Sequence, residues 1–168
     1  MNRSRRFSSR CRAGFLILGS VGIGSHLAAE DTLSLEETIR GQVSEGMILA
    51  AAAKAAIGET YLSRGDIPQD RTAAGMTADA VDTQGKYVAS VDIVDAEIII
   101  TYGNEAHANI TGKALVLTPF LMNGLQVLNW QCGLSNHATA NGGIAIGANS
   151  SSSSTTVATK YLHEACLP

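Results

Sequence analysis

Between residues 35 and 62 the apolar positions recur at helical spacing. Ile39, Val43, Met47, Ala50, Ile57 and Tyr61 follow one another at steps of three, four and seven, which gathers them on one face. No proline interrupts this stretch, and Ala50 to Ala53 with Ala55 and Ala56 add helix propensity and a slim profile that permits close approach to a neighbour. Ser34-Leu35-Glu36-Glu37 reads as a start signal: Ser34 can cap free amides while Glu37 reaches back, and both carboxylates suit the positive end of the helix dipole. Ser63-Arg64-Gly65 supplies a basic last turn and a left-handed cap, and Pro68 prevents continuation. The pattern predicts a helix over about 35–62.

Residues 66–85 show no sustained period and read as a surface loop with at most a short helical turn. The period then changes to two. Tyr87, Ala89, Val91 and Ile93 share one side of a strand whose other side carries Ser90 and Asp92. Asp95 marks a tight turn into a β-branched run ending at Gly103-Asn104. Two further apolar runs, 113–121 and 125–131, are joined by the hairpin signal Asn123-Gly124. Pro119 should cost the third strand pairing near its end or force a bulge, because it cannot donate to a ladder. One helix followed by consecutive short strands predicts an α+β domain, with the long helix packed on a four-stranded antiparallel meander sheet over about 86–131. After Cys132 the pattern dissolves, and Ala140-Asn141-Gly142-Gly143 and Ser150 to Ser154 read as a solvated loop.

The length of 168 residues suits one domain with its own core, and 45% hydrophobic against 16% charged residues excludes a disordered chain. Charge is distributed unevenly. Five arginines precede the first acid, Glu30, whereas residues 30–168 hold seven Lys+Arg against fifteen Asp+Glu. The net charge of −3 argues against bulk nucleic-acid binding. The basic head, the uncharged and glycine-interrupted run 13–29, and Ala28-Ala29 read as a leader and export segment, too polar for a stable membrane span. The expected organisation is therefore leader 1–29 and globular domain 30–168.

Export changes the reading of the cysteines. Cys11 leaves with the leader, and Cys132 and Cys166 remain as an even pair whose natural state in an oxidising compartment is a disulfide closing loop 132–166. Two free thiols are the alternative. The four histidines show no metal-ligand spacing, no His-x-x-x-His or Cys-x-x-Cys occurs, and Gly142-Gly143-Ile144-Ala145-Ile146-Gly147 lacks the features of a phosphate loop. Asp92, Asp95 and Glu97 read as solvated charges around a strand turn. Asn109-Ile110-Thr111 and Asn149-Ser150-Ser151 are formal glycosylation sequons. Without a catalytic constellation, metal or cofactor, an exported domain of this kind has a structural, adhesive or binding role.

Several segments resemble the type IV pilins. Thr38-Ile39-Arg40-Gly41-Gln42-Val43-Ser44-Glu45-Gly46 is similar to the middle of the pilin helix. Gly85-Lys86-Tyr87-Val88, Lys113 to Pro119 and Val127-Leu128-Asn129-Trp130-Gln131-Cys132-Gly133 resemble the family's strand motifs, and Lys160 to Cys166 its terminus. The resemblance covers about 38–168. It implies a pilus subunit that packs its N-terminal helix in the fibre centre and carries sheet and disulfide-closed loop outside, without enzymatic activity. The implied partners are other copies in a homopolymer, the pilus assembly machinery and a host or surface receptor, with roles in adhesion, twitching motility or DNA uptake. The implied location is the bacterial cell surface or, unassembled, the inner membrane and periplasm. Gly14-Phe15 is similar to the leader-processing junction, after which the mature chain would start at a methylated Phe15. Where the family carries a carboxylate four residues after that Phe, this chain has Gly19. A start near Glu30, in a soluble exported binding module that forms no fibre, is the alternative.

Overall fold

The computed structural model describes residues 27–122, 127–136, 142–146 and 155–168. Among the described residues, a single α-helix, α1 (Leu27–Arg64), precedes the sheet. It begins before Ser34, so the capping signal there does not set its start. Ser34 lies within the helix, and its carbonyl accepts the Thr38 hydroxyl at 2.8 Å. The local capping option loses because leucine, alanine and glutamate upstream favour helix, and each added residue contributes another backbone hydrogen bond. The C-terminus follows the sequence: Gly65, at φ 72°, donates its amide to the Tyr61 carbonyl at 2.8 Å.

The sheet consists of β1 (Val88–Val94), β2 (Glu97–Tyr102), β3 (Ala114–Met122) and β4 (Leu128–Cys132) in antiparallel sequence order, with a short β5 (Gly143–Ala145) added to β3. Ile98, Ile100 and Tyr102 of β2, with Leu115 and Leu117 of β3, meet Ile39, Val43, Ala50, Ala53 and Ile57 of the helix in one core. The β1–β2 turn has two left-handed residues, Asp95 at φ 50° and Ala96 at φ 71°, the backbone twist that two-residue hairpins require. The Asn123-Gly124 turn lies outside the described residues, as do Asn149 and Ser150 to Ser154.

Two expectations for the sheet need correction. Pro119 neither ends pairing nor causes a bulge: β3 pairs with β4 in continuous register from Leu117↔Cys132 to Leu121↔Leu128. The Pro119 carbonyl accepts the Ile146 amide at 2.8 Å, so its missing N–H falls on the side where β2 has ended and β5 takes over. Among the described residues, the one register shift lies in β1, between Val88 and Ser90. Residues read as loop after Cys132 include β5, which is too short to show a period and forms because β3 outruns β2 and offers open backbone.

The connection from α1 to β1 is pinned from within. Arg71 is 2% exposed, and its guanidinium donates to the Thr77 and Val91 carbonyls and to the Thr77 and Thr83 hydroxyls. All four bonds go to neutral acceptors, so the charge is solvated by the fold in place of water. We predict that Arg71→Met, which leaves two carbonyls without these donors, lowers unfolding free energy by about 3 kcal/mol in denaturant titration. A loss below about 0.5 kcal/mol would mean that this loop does not depend on Arg71.

Glu97 also departs from expectation. It is 3% exposed, and the Thr118 hydroxyl donates to it at 2.7 Å across the β2–β3 pair. The sequence suggested a solvated turn charge because Glu97 directly follows the hairpin turn, but the strand buries this side chain beside Thr118 on the sheet face opposite Ile98 and Ile100. Burial raises its pKa above the ordinary carboxylate value, against the Thr118 hydrogen bond, and nearby Asp95 adds to the rise. A raised folded-state value means that Glu97 favours folding at acid pH and that this contribution is lost as pH rises through the folded value. Glu97→Gln should therefore raise the Tm at pH 7, with the gain shrinking towards pH 4. A gain that grows on acidification would contradict this assignment.

Candidate assembly surface

Viewed end-on, α1 has two apolar faces. The inner one is Ile39, Val43, Gly46, Ala50, Ala53 and Ile57, spaced alternately four and three residues apart and sealed against the sheet. Its register depends on Gly46, where a Cβ would lie 2.6 Å from the Tyr102 hydroxyl and 2.7 Å from Ile100 Cγ2. That hydroxyl donates to the Val43 carbonyl at 2.8 Å, and burial, with Glu45 nearby, raises its pKa so that it stays a donor. On the preceding residue, both Glu45 oxygens accept the Lys86 and Tyr87 amides, at 2.7 and 2.6 Å, tying the helix to the entrance of β1.

The outer face is Gly41, Ile48, Ala51, Ala52, Ala55 and Leu62, all exposed. Ile48 is 73% and Leu62 80% exposed, and with the alanines they form one exposed apolar face on the helix. From Gly41 to Ala55 this face carries no charge, and Glu37 and Glu59 mark its ends. Between the two faces lies a ledge where Lys54 stands over Trp130 of β4, Nζ 5.8 Å from the ring centroid. Burial lowers the Lys54 pKa below the ordinary lysine value. Beyond it, Gly58, Tyr61, Leu62, Val127 and Leu128 line a shallow apolar groove of about 270 Å³.

A disulfide joins Cys132 at the end of β4 to Cys166, whose Cα atoms are 4.5 Å apart. The Leu134 amide donates to the Cys166 carbonyl at 2.8 Å, and Met47 Sδ lies 3.8 Å from Cys132 Sγ, so the bridge abuts the helix. Gly133 adopts φ 56°, and a Cβ there would lie 3.1 Å from the Cys166 carbonyl oxygen. Upstream, Thr155 and Thr156 hydroxyls accept the Val116 and Ala114 amides, extending the β3 edge. Arg40 donates to the Lys160 carbonyl at 2.7 Å, fastening the terminal segment to α1.

Gly14 and Phe15 lie outside the described residues. Asn109 of the first sequon donates to the Tyr161 hydroxyl at 2.7 Å. Among the described residues, no cluster of three His, Cys, Asp or Glu side chains could hold a metal, and no helix is long and apolar enough to cross a membrane. What sequence reading missed is the separation of the two helix faces. Ala51, Ala52 and Ala55 read as sources of helix propensity and a slim profile, Ile48 was not singled out, and only the position of the sheet distinguishes outward from inward.

Residues 39–167 match the family model for pilin, a bacterial filament protein. The chain is 32% identical over 155 residues to a fimbrial protein of Neisseria meningitidis, an alignment covering 90% of this chain and 88% of the relative. It is 35% identical over 120 residues to a type IV major pilin protein, PilE1, of Neisseria gonorrhoeae, covering 70% of each, and 36% identical over 121 residues to another gonococcal type IV major pilin, PilE, covering 70% and 68%. A long helix on an antiparallel meander, a closing disulfide and this pattern of relatives lead to one assignment: the chain belongs to the type IV pilin family, structural proteins of bacterial filaments.

Proposed function

We propose that this chain is a structural subunit of a type IV pilus that polymerises with other copies of itself through the outer face of α1. The observation that carries the proposal is that face: an uncharged apolar stripe from Gly41 to Ala55, opposite a complete core, which gains free energy only when another surface covers it. In this reading the sheet and disulfide-closed region lie on the outside of the fibre, available to a host or surface receptor, and the chain has no enzymatic role. Adhesion, twitching motility or DNA uptake are then functions of the fibre. Residues 1–29 act as leader and export segment, 30–168 form the fibre domain, and the assembly machinery acts after cleavage at Gly14-Phe15. N-terminal sequencing of the exported protein tests the processing step: a chain starting at Phe15 supports it, and one starting near Glu30 excludes it.

Ile48→Glu tests the surface. The side chain is exposed in the single subunit, so the Tm should change by less than about 2 °C, whereas a carboxylate forced into an apolar contact costs several kcal/mol and should remove sheared fibres from the cell surface. Normal fibre yield from Ile48→Glu would exclude this face as the assembly surface.

A further inference from the structure

Lys54 and Glu59 are five residues apart on α1, so they point about 140° away from each other and are separated by about 7.5 Å along the axis. That geometry prevents pairing within one chain. Among the described residues Lys54 has no ion pair: its amine lies partly desolvated over Trp130, beside the apolar groove. Glu59 is exposed at the end of the apolar stripe and likewise has no ion pair among the described residues. Covering the ledge with a purely apolar surface would strand the lysine charge. The fitting occupant is an apolar helix face that brings one carboxylate.

Resting on the reading that the outer face of α1 is the assembly surface, we infer that the second copy seated against the Lys54–Trp130 ledge is placed so that its Glu59 pairs with Lys54. With parallel helices this needs an axial offset of about 7.5 Å, which leaves most of the stripe from Gly41 to Leu62 overlapped. Pairing Lys54 with Glu37, at the other end of the stripe, needs an offset of about 26 Å and leaves almost none of it covered. The two contacting faces differ, one presenting the lysine ledge and the other the glutamate stripe. The contact is therefore heterologous, and the axial offset added at each step makes it repeat as an open helix, as a filament requires.

Zero-length carbodiimide coupling of the full-length protein in a fibre-forming cell tests this directly. The expected product is an amide between Lys54 of one copy and Glu59 of another, identified by mass spectrometry. Inter-subunit products involving other lysines or Lys54–Glu37, without Lys54–Glu59, would overturn this pairing while leaving assembly intact. No inter-subunit product and no fibres would remove the assembly reading and this pairing together. Charge reversal gives a second readout: Lys54→Glu and Glu59→Lys should each reduce sheared fibre about tenfold or more, and the double reversal should restore it to within about threefold. Failure of the double reversal, with each variant's helical circular dichroism unchanged, would also contradict the pairing.

Discussion

Replacing both Cys132 and Cys166 with serine is expected to lower unfolding free energy by about 4 kcal/mol. The bridge joins residues 34 apart in sequence, and restoring freedom to a loop of that length in the unfolded chain accounts for this value in the chain-entropy model. The native contacts locate the damage. The disulfide holds the terminal segment against β4 through the Leu134 amide and the Cys166 carbonyl, whereas Ile39, Val43, Ile57 and their β2 and β3 partners form a core that does not need it. Hydrogen exchange under reducing conditions should therefore show protection lost between the two cysteines and kept over the middle of α1. Equal protection with and without reductant would sink this expectation.

Gly46→Val should be nearly as damaging, at about 3 kcal/mol or more. Here the helix backbone approaches β2 so closely that any side chain must displace the buried Tyr102 hydroxyl and Ile100. Overpacking costs roughly 1–3 kcal/mol, and loss of the Tyr102 to Val43 hydrogen bond adds about 1 kcal/mol. The same helix contains two controls. A Cβ on Gly41 or Gly58 meets nothing within 4 Å, so alanine at either should stabilise the subunit by about 0.5–1 kcal/mol through helix propensity. Denaturant midpoints for the three variants decide the matter, and similar behaviour at all three positions would mean that the helix does not seat on Tyr102.

The elements most legible in the sequence were those with long, clean periods. The inner face of α1 from Ile39 to Ile57 and the alternation Val91, Ile93 each extend over enough residues for burial to leave its mark. The start of α1 was misread because capping is a local preference, and Ser34 can serve inside a helix as readily as at its edge. Arg71 and Glu97 were not legible as structural residues. Whether a charge is solvated by water or by carbonyls and hydroxyls depends on elements distant in sequence, here β1 for Arg71 and β3 for Glu97. The outer stripe was visible as composition only in its alanines, and its role depends on knowing which side of the helix the sheet has taken. For Lys54 the deciding neighbour, Trp130, lies on the last strand of the meander.

Electron cryomicroscopy of fibres sheared from a strain expressing this chain is the most direct test of the central claim, that α1 serves both as the backbone of the subunit's core and as its assembly surface. The account predicts fibres built from this chain in which Ile48 and Ala55 are buried between copies while the Cys132–Cys166 region faces outward. A chain recovered only as a monomer, or a fibre in which Ile48 and Ala55 remain open to solvent, would contradict it.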